Sequence, residues 1–255
     1  MTRRWWSGPV ESFALLSAVR MPTVPSVRRA LPWAPLVGLL LGAVATALAW
    51  AVAEAASPLV GAGVGIAVLA GLTRGLHLDG LADTADGLGP LRGRERALEV
   101  MRSGDVGPFG VATLVLTLLL QVACLAQLLG TGGGWLALPV STVAARVAMA
   151  RTGLPGVPVA AGSSLGSAVA GTVSRAWLAG TVLLTAAAAV GAAQLTGGLP
   201  DGWRLLVAAA AGWLAAEGLH RRARQRLGGV NGDVMGAMGE VTATVTLLAA
   251  SLLLG

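Results

Sequence analysis

Three acids interrupt an apolar part of the chain in the stretch Gly75-Leu76-His77-Leu78-Asp79-Gly80-Leu81-Ala82-Asp83-Thr84-Ala85-Asp86-Gly87. On a helix that turns by about 100° per residue, Asp79, Asp83 and Asp86 fall within an arc of roughly 60°. The spacing therefore predicts a helix with one acidic face and one apolar face. Two ionised carboxylates about 6 Å apart repel by roughly 3 kcal/mol at an effective dielectric constant of about 20. Either protonation, as in a proton relay, or a hard divalent cation would relieve this repulsion.

The composition around this stretch is that of a polytopic membrane protein. Of the 255 residues, 55% are hydrophobic and 12% are charged, and the mean hydropathy is +0.75. These values exclude a soluble enzyme. The net charge of +6 comes from 18 arginines with no lysine, and no basic stripe alternates with aromatic residues, so we expect no nucleic-acid partner. The fold class predicted from the sequence is all-α, a helical bundle in the lipid bilayer.

Apolar runs divide the chain into membrane-crossing segments. About 20 apolar residues cross the hydrocarbon core, and residues 1–33 are too mixed for that, so we expect them to form an interfacial segment. Glycines at small-xxx-small spacing, Gly38 with Gly42 and Gly61 with Gly65, predict close helix packing. We predict seven transmembrane helices, near residues 36–56, 59–76, 109–129, 135–150, 177–195, 203–219 and 241–254.

The arginines indicate the orientation of these helices. If the N-terminus is cytoplasmic and seven spans alternate, 17 of the 18 arginines lie on or near the cytoplasmic side and only Arg204 lies on the other. This is the distribution of the positive-inside rule. The topology brings residues 75–107 and 220–240 to the cytoplasmic face of a bacterial inner membrane. We expect these two segments to form the active site of one membrane domain that covers residues 1–255.

A second acidic site lies at the start of the last predicted span. Asp233 and Glu240 are seven residues apart and therefore share one helical face. Gly232 and Gly236 permit close backbone approach, and N–H groups at a helix start can hold phosphate oxygens. The alternative is that Asp233 caps the helix and the glycines only pack. Five carboxylates on one surface suggest one or two divalent ions that bridge phosphate oxygens during an in-line displacement.

Three further side chains are candidates for contact with a phosphorylated substrate. Arg102 and Arg146 could each grip two phosphate oxygens with a planar guanidinium group. Arg146 falls inside an apolar span, where topology does not require a charge. His77 could act as an acid, a base or a metal ligand, or it could simply be hydrogen-bonded beside a helix start.

The residues His77 to Gly87 resemble the cobalamin synthase family, that is, adenosylcobinamide-GDP ribazoletransferase. The resemblance also includes Met101-Arg102 with Gly107 and Gly110. One departure is visible, because the family often has an Asp-Ser pair after Met101-Arg102, whereas this chain has Ser103-Gly104-Asp105. The other landmarks follow in the same order along nearly the whole chain: Phe13 to Pro25, Pro35-Leu36-Val37-Gly38, Arg146, and Gly232-Asp233-Val234-Met235-Gly236-Ala237 with Glu240.

The resemblance implies a specific reaction. A ribose hydroxyl of α-ribazole, or of its 5′-phosphate, attacks the cobinamide-linked phosphorus of adenosylcobinamide-GDP, and GMP leaves. The product is adenosylcobalamin or its 5′-phosphate. On this basis we assign Asp79, Asp83 and Asp233 to Mg²⁺, the only cofactor expected. We assign removal of the hydroxyl proton to Asp86 or Glu240, with His77 assisting as an acid, a base or a metal ligand. The residues assigned to binding of the substrate pyrophosphate are Arg102, Arg146, Gly232 and Gly236.

Two other classes of protein would also place acids in a membrane bundle. A phosphotransferase that joins an alcohol to a CDP-linked lipid normally continues its acidic helix with Gly-x-x-x-Asp-x-x-x-Asp, and no such continuation follows Asp79. An ion-coupled transporter would show repeated halves with broken helices near the bilayer midplane, whereas these acids are predicted at one surface. Besides its substrates and the bilayer, the sequence allows a second copy of the chain as a partner.

Overall fold

The computed structural model describes residues 6–22, 26–131, 134–196 and 199–255. Residues 1–5 and 23–25 of the predicted interfacial segment lie outside the described residues. Helices occupy most of the described chain, and the only β-type contact in it is one isolated bridge between Val159 and Val230. The α-helices are α1 (Ser7–Leu16), α2 (Ala30–Ala55), α3 (Pro58–Leu72), α4 (Leu76–Leu88), α5 (Arg94–Arg102), α6 (Pro108–Leu129), α7 (Ala137–Ala150), α8 (Ser164–Val169), α9 (Arg175–Thr196), α10 (Leu199–Leu227) and α11 (Gly232–Leu254).

Four of these helices, α2, α6, α9 and α11, are long and apolar enough to cross a membrane. Helices α3 and α4 meet the same criterion only as a pair, bent by 88° at the break between them. The all-α membrane architecture predicted from composition is therefore confirmed, with four or five candidate spans in the described residues. The predicted segments 135–150 and 203–219 also lie largely in helices, namely α7 and α10, although neither passes this length and composition test.

Two helix boundaries differ from the prediction. Helix α11 begins at Gly232 instead of residue 241, because the Asn231 side chain caps it by accepting the Val234 N–H at 2.9 Å. The alternative in which Asp233 caps this helix is therefore wrong, and Asp233 lies in the first turn. Helix α10 continues past residue 219 to Leu227, so the cluster of arginines near its end is helical.

The small-xxx-small glycines pack helices closely, as predicted. A β-carbon added to Gly61 would lie 2.7 Å from the Ala53 β-carbon, and one added to Gly65 would lie 2.8 Å from that of Ala49. On the other side of α2, a β-carbon at Gly38 would lie 2.6 Å from the backbone carbonyl oxygen of Thr142. These contacts hold α2 between α3 and α7, and α7 in turn packs against α11. Because α11 also packs against α4 and α6, the start of α11 lies close to the acidic helix.

Candidate active site

A sharp turn before α4 sets the direction of the acidic helix. Arg74 and Gly75 both have left-handed backbone, with φ of 56° and 66°. Arg74 is the only residue other than glycine with a positive φ in the described chain. Because two successive left-handed residues cannot continue a right-handed helix, the chain turns by 88° between α3 and α4. The acidic stretch is a helix, as predicted, and it crosses the bundle instead of extending α3.

Two glycines bring α4 into contact with α11. A β-carbon at Gly80 would lie 2.8 Å from the carbonyl oxygen and 2.9 Å from the α-carbon of Asp233. One turn further along α11, a β-carbon at Gly236 would lie 3.3 Å from the His77 α-carbon. The two acidic segments, which are about 150 residues apart in sequence, therefore meet backbone to backbone.

A cavity of 270 Å³ opens where these helices meet. It brings together Asp79 and Asp233, which were predicted metal ligands, and Arg102, a predicted phosphate ligand. Its polar lining also contains residues that the sequence interpretation did not select, Asn231 and the serines of the loop after α7. The polar and glycine residues of the lining are His77, Asp79, Gly162, Ser163, Ser164, Arg102, Asn231, Gly232, Asp233 and Gly236.

The three predicted metal ligands differ in exposure. The Asp79 side chain is exposed, whereas Asp83 and Asp233 are half-buried. Asp83 does not line the cavity, but it lies within electrostatic range of Asp79, Asp86 and Asp233. Unrelieved repulsion between neighbouring carboxylates of this kind favours either a shared proton or a cation.

The donors at this site suit a magnesium ion that also binds substrate. In the described parts of the chain, no three His, Cys, Asp or Glu side chains are arranged to hold a metal ion together. Mg²⁺, however, is commonly held by one or two carboxylates, several waters and the phosphate oxygens of the substrate. Asp79 and Asp233 line the same cavity, so the number of carboxylates there fits a site of this kind.

Asp86 makes a different set of contacts. Its side chain is 5% exposed, its Oδ2 accepts the Gly107 N–H at 2.7 Å and its Oδ1 accepts the Gly110 N–H at 3.0 Å. Gly107 is the N-cap of α6, so the carboxylate satisfies free N–H groups at a helix start and interacts favourably with the helix dipole. The acids of this face therefore have different surroundings, since Asp79 lines the cavity and Asp86 lies inside the bundle.

Arg102 lies at the end of α5 with its guanidinium group beside the loop that follows α7. Its Nε donates to the Leu98 carbonyl oxygen at 3.0 Å, and its Nη1 lies 3.4 Å from where a β-carbon of Gly162 would be. The side chain is exposed and lines the cavity. This position allows the guanidinium to meet an anionic group beside Asp79 and Asp233.

The loop after α7 is held at the cavity by backbone pairing. Ala160 N–H donates to the Val230 carbonyl oxygen and Val230 N–H donates to the Pro158 carbonyl oxygen, both at 3.0 Å. The pairing links this loop to the segment just before α11, where Asn231 donates from Nδ2 to Asp233 Oδ2 at 2.8 Å. Asn directly before a helix start is a common N-cap, and this signal could have identified Asn231 from the sequence. No sequence signal predicted the pairing itself.

Arg146 and Glu240 line a separate cavity of 40 Å³. Glu240 Oε2 accepts a hydrogen bond from Gln121 Nε2 at 3.0 Å, and the same amide donates to Thr244 Oγ1 at 2.9 Å. Arg146 is 6% exposed, and its Nε has no hydrogen-bond partner in the described chain. Asp233 and Glu240 share a helix as predicted, but they line different cavities.

His77 lies near both cavities. It is 2% exposed, it lines the larger cavity, and within the described residues its Nε2 has no hydrogen-bond partner. Arg146, which lines the smaller cavity, lies within electrostatic range of it. Of the three side chains predicted to move a proton, His77, Asp86 and Glu240, only His77 lines the cavity that holds Asp79.

Glu217, His220 and Arg226 near the end of α10 make structural contacts. Arg151 bonds Glu217 at 2.7 Å and His220 Nε2 at 3.0 Å. Burial and then the neighbouring Arg151 charge lower the pKa of His220 to about 4, while Glu217 opposes the shift. Arg226 donates to two carbonyl oxygens, those of Pro90 and Arg92. These bonds fasten α10 to α7 and to the connection between α4 and α5.

Comparison with known proteins gives consistent matches over most of the chain. The family model described as Cobalamin-5-phosphate synthase matches residues 10–251. A protein of Frankia casuarinae named adenosylcobinamide-GDP ribazoletransferase is 40% identical over 234 residues, which cover 86% of this chain and 84% of that protein. Proteins of the same name from Roseiflexus sp. and Pseudomonas aeruginosa are 32% and 38% identical, covering 96% and 91% of this chain and 90% of each relative. No solved structure matches the chain.

Proposed function

This chain belongs to the cobalamin-5-phosphate synthase family, and we propose that it joins adenosylcobinamide-GDP to α-ribazole, or to α-ribazole 5′-phosphate, with release of GMP. A free ribose hydroxyl oxygen of the acceptor forms a bond to the cobinamide-linked phosphorus, the bond from that phosphorus to the bridging oxygen breaks, and the bridging oxygen leaves with GMP. The hydroxyl proton passes to a base. The observation that carries this proposal is the convergence of Asp79, Asp233 and Arg102 on one cavity.

Asp79 and Asp233 would hold Mg²⁺ together with phosphate oxygens of the donor. Asp83, which lies within electrostatic range of both, would add negative charge that attracts the ion. Bound there, Mg²⁺ would neutralise the developing charge on the phosphoryl and leaving oxygens. The exposed guanidinium of Arg102 would bind the same pyrophosphate from the α5 side, since a planar fork suits phosphate oxygens. Gly232 and Gly236, which also line the cavity, would let the phosphate approach the backbone at the start of α11.

We assign proton removal to His77. A general base must lie within hydrogen-bond reach of the attacking hydroxyl, and among the three candidates His77 alone lines the cavity. Its buried Nε2 has no hydrogen-bond partner within the described residues, so no protein group there competes for this nitrogen. Asp86, with both oxygens on backbone N–H groups, would hold α6 in place against α4.

Arg146 and Glu240 would act as positioning residues beneath the site. Both lie within electrostatic range of one another, and Arg146 also lies within range of His77. Burial and, to a lesser degree, the Arg146 charge favour the neutral imidazole, which is the form that accepts a proton. Loss of either partner would leave an uncompensated buried charge.

We further propose the orientation derived from the arginines, with the N-terminus and the cavity facing the cytoplasm of a bacterial inner membrane. The apolar segments predicted as spans lie largely in helices, and four of these helices, together with the bent pair α3 and α4, are long and apolar enough to cross a membrane. In this orientation, the basic residues Arg102, Arg151 and Arg226 lie on the same side of the membrane as Asp79. Nucleotides and Mg²⁺ are available on that side.

The test is GMP release by purified protein in detergent or liposomes, with Mg²⁺, adenosylcobinamide-GDP and α-ribazole. Asp79→Asn is expected to reduce the rate by about 100-fold or more, because a metal ligand contributes several kcal/mol to transition-state charge stabilisation. Asp105→Asn is the matched control, since Asp105 is an exposed loop acid outside the cavity. The proposal would be overturned if folded wild-type protein released no GMP and instead formed product from a CDP-linked lipid or carried an ion flux.

A further inference from the structure

The cavity that holds Asp79 and Asp233 has a second, apolar part. Seven leucine and methionine side chains from six helices line the cavity, and none of them has a role in phosphate or metal binding. Met149 and Leu16 are each 1% exposed and Met235 is 3% exposed, whereas Leu15 and Leu165 are half-buried. Five of these seven side chains belong to one hydrophobic cluster: Leu15 and Leu16 of α1, Met149 of α7, Leu165 of α8 and Met235 of α11.

Helix α1 is fastened in place as part of this lining. Glu11 Oε2 accepts the Arg29 N–H at 2.7 Å, and Arg29 Nη1 donates to Ser7 Oγ at 2.7 Å. Just after the helix, Ala18 N–H donates to the Leu72 carbonyl oxygen at 2.6 Å. These bonds tie both ends of α1 to α2 and α3, so its leucines form a fixed wall.

The size of the cavity limits what can occupy it. Pockets for drug-sized ligands are commonly about 300–1,000 Å³, and this one has 270 Å³. It can take one nucleoside-sized group beside the reacting phosphate. The corrin ring of the donor is far larger and would have to remain outside.

The chemistry of the lining distinguishes the two nucleoside groups in the reaction. Guanine has a hydrogen-bonding edge, and burying it against leucine and methionine side chains would leave its polar atoms unpaired, which is costly. The base of α-ribazole is a benzimidazole with two methyl groups and no exocyclic donor. An apolar surface suits it, and thioether groups make favourable contacts with aromatic rings.

We infer that the apolar lining formed by Leu15, Leu16, Met149, Leu165 and Met235 binds the aromatic base of the acceptor nucleoside, and that α1 is therefore an element of acceptor specificity. This inference rests on the proposed function. Leu165 lies next to Gly232, where an added β-carbon would be 3.2 Å from Leu165 Cδ2. A base held by Leu165 therefore lies beside the start of α11, which places the acceptor ribose near Asp233.

The test compares Leu15→Ala and Leu165→Ala with Val10→Ala. Val10 is a half-buried residue on α1 that does not line the cavity. For both leucine variants, we expect the KM for α-ribazole to rise by about tenfold, the effect of losing apolar contact area. The KM for adenosylcobinamide-GDP and kcat should change little, and Leu165→Met, which keeps the volume, should restore the acceptor KM. Val10→Ala should have wild-type constants.

Equilibrium dialysis of radiolabelled α-ribazole provides a readout without turnover. Wild-type protein should bind it, Leu165→Ala should bind it about tenfold more weakly, and a nucleoside of unmethylated benzimidazole should lose less affinity on this substitution. If the leucine variants raise the KM for adenosylcobinamide-GDP and leave the KM for α-ribazole unchanged, the inference is overturned. GMP release by the wild type would still support the transferase function in that case. Absence of α-ribazole binding to the wild type would also overturn the inference, and absence of GMP release as well would overturn the function itself.

Discussion

Gly80 and Asp233 make the contact on which the site depends, because the backbone of α11 occupies the space that a side chain at Gly80 would need. A β-carbon there would lie 2.8 Å from the Asp233 carbonyl oxygen. The acidic helix and the second acidic segment can thus approach until Asp79 and Asp233 line the same cavity. This approach depends on a residue with no functional group of its own.

Gly80→Ala should therefore separate α4 from α11 and reduce the rate of GMP release by at least about tenfold, since a displacement of about 1 Å at a catalytic site can cost more than that. Gly71→Ala is the matched control, because Gly71 lies in α3 with no heavy atom within 4 Å of an added β-carbon. In a helix, that change is expected to stabilise by about 0.5–1 kcal/mol. Equal activity of the two variants would contradict the account of this contact.

Asp86→Asn tests whether this acid is structural. An amide at position 86 keeps one acceptor oxygen but loses a charge-assisted bond, so the free energy of unfolding should fall by about 1–3 kcal/mol. Thermal unfolding in detergent measures this loss, with Asp105→Asn again as the control. Unchanged thermal stability together with lost GMP release would instead assign Asp86 to the chemistry.

Gly75→Ala tests the turn between α3 and α4. The φ of Gly75 is 66° and no atom would contact an added β-carbon, so the cost is conformational only. We expect destabilisation of about 1 kcal/mol, with a smaller loss for Gly75→Asn, since Asn adopts left-handed backbone more readily. Gly93→Ala, at another uncrowded glycine but with φ of −64°, should cost less than Gly75→Ala. If Gly75→Ala costs no more than Gly93→Ala, the left-handed turn is not required.

His220 should make stability depend on pH between about 6.5 and 4. Its pKa is about 4 in the folded protein, because burial and then Arg151 lower it, whereas the unfolded chain has the ordinary value of about 6.5. In this window the unfolded state binds a proton that the folded state does not, so the free energy of unfolding falls as the pH falls. Above about pH 6.5 both states are neutral and the contribution is constant.

The measurement is the difference in thermal midpoint between wild type and His220→Gln across pH 4 to 7.5. All other titrating groups are common to both proteins. The wild type should lose stability relative to the variant as the pH decreases through this window. A difference that does not change with pH would contradict the burial of a neutral imidazole beside Arg151.

The spacing of the acids in α4 predicts the helix but not the neighbours of each acid. The period of Asp79, Asp83 and Asp86 predicted a helix with an acidic face, and α4 confirms the helix. Spacing alone could not predict that the three acids have different surroundings, because other helices form those surroundings. The α6 N-terminus surrounds Asp86, whereas Asp79 meets the cavity at α11. In the same way, the separation of Asp233 from Glu240 into two cavities follows from what packs against α11.

Hydropathy and motif order are properties of the chain alone, so the all-helical fold, the apolar segments and the family could be predicted from the residues. Which residues meet depends on tertiary packing. The left-handed turn at Arg74 and Gly75 directs α4 across the bundle, and the bond pair between residues 158–160 and Val230 brings Ser163 to the cavity. The closeness of Gly80 to Asp233 likewise arises from packing between segments about 150 residues apart. Local periodicity does not encode such contacts, since they depend on how distant surfaces fit together.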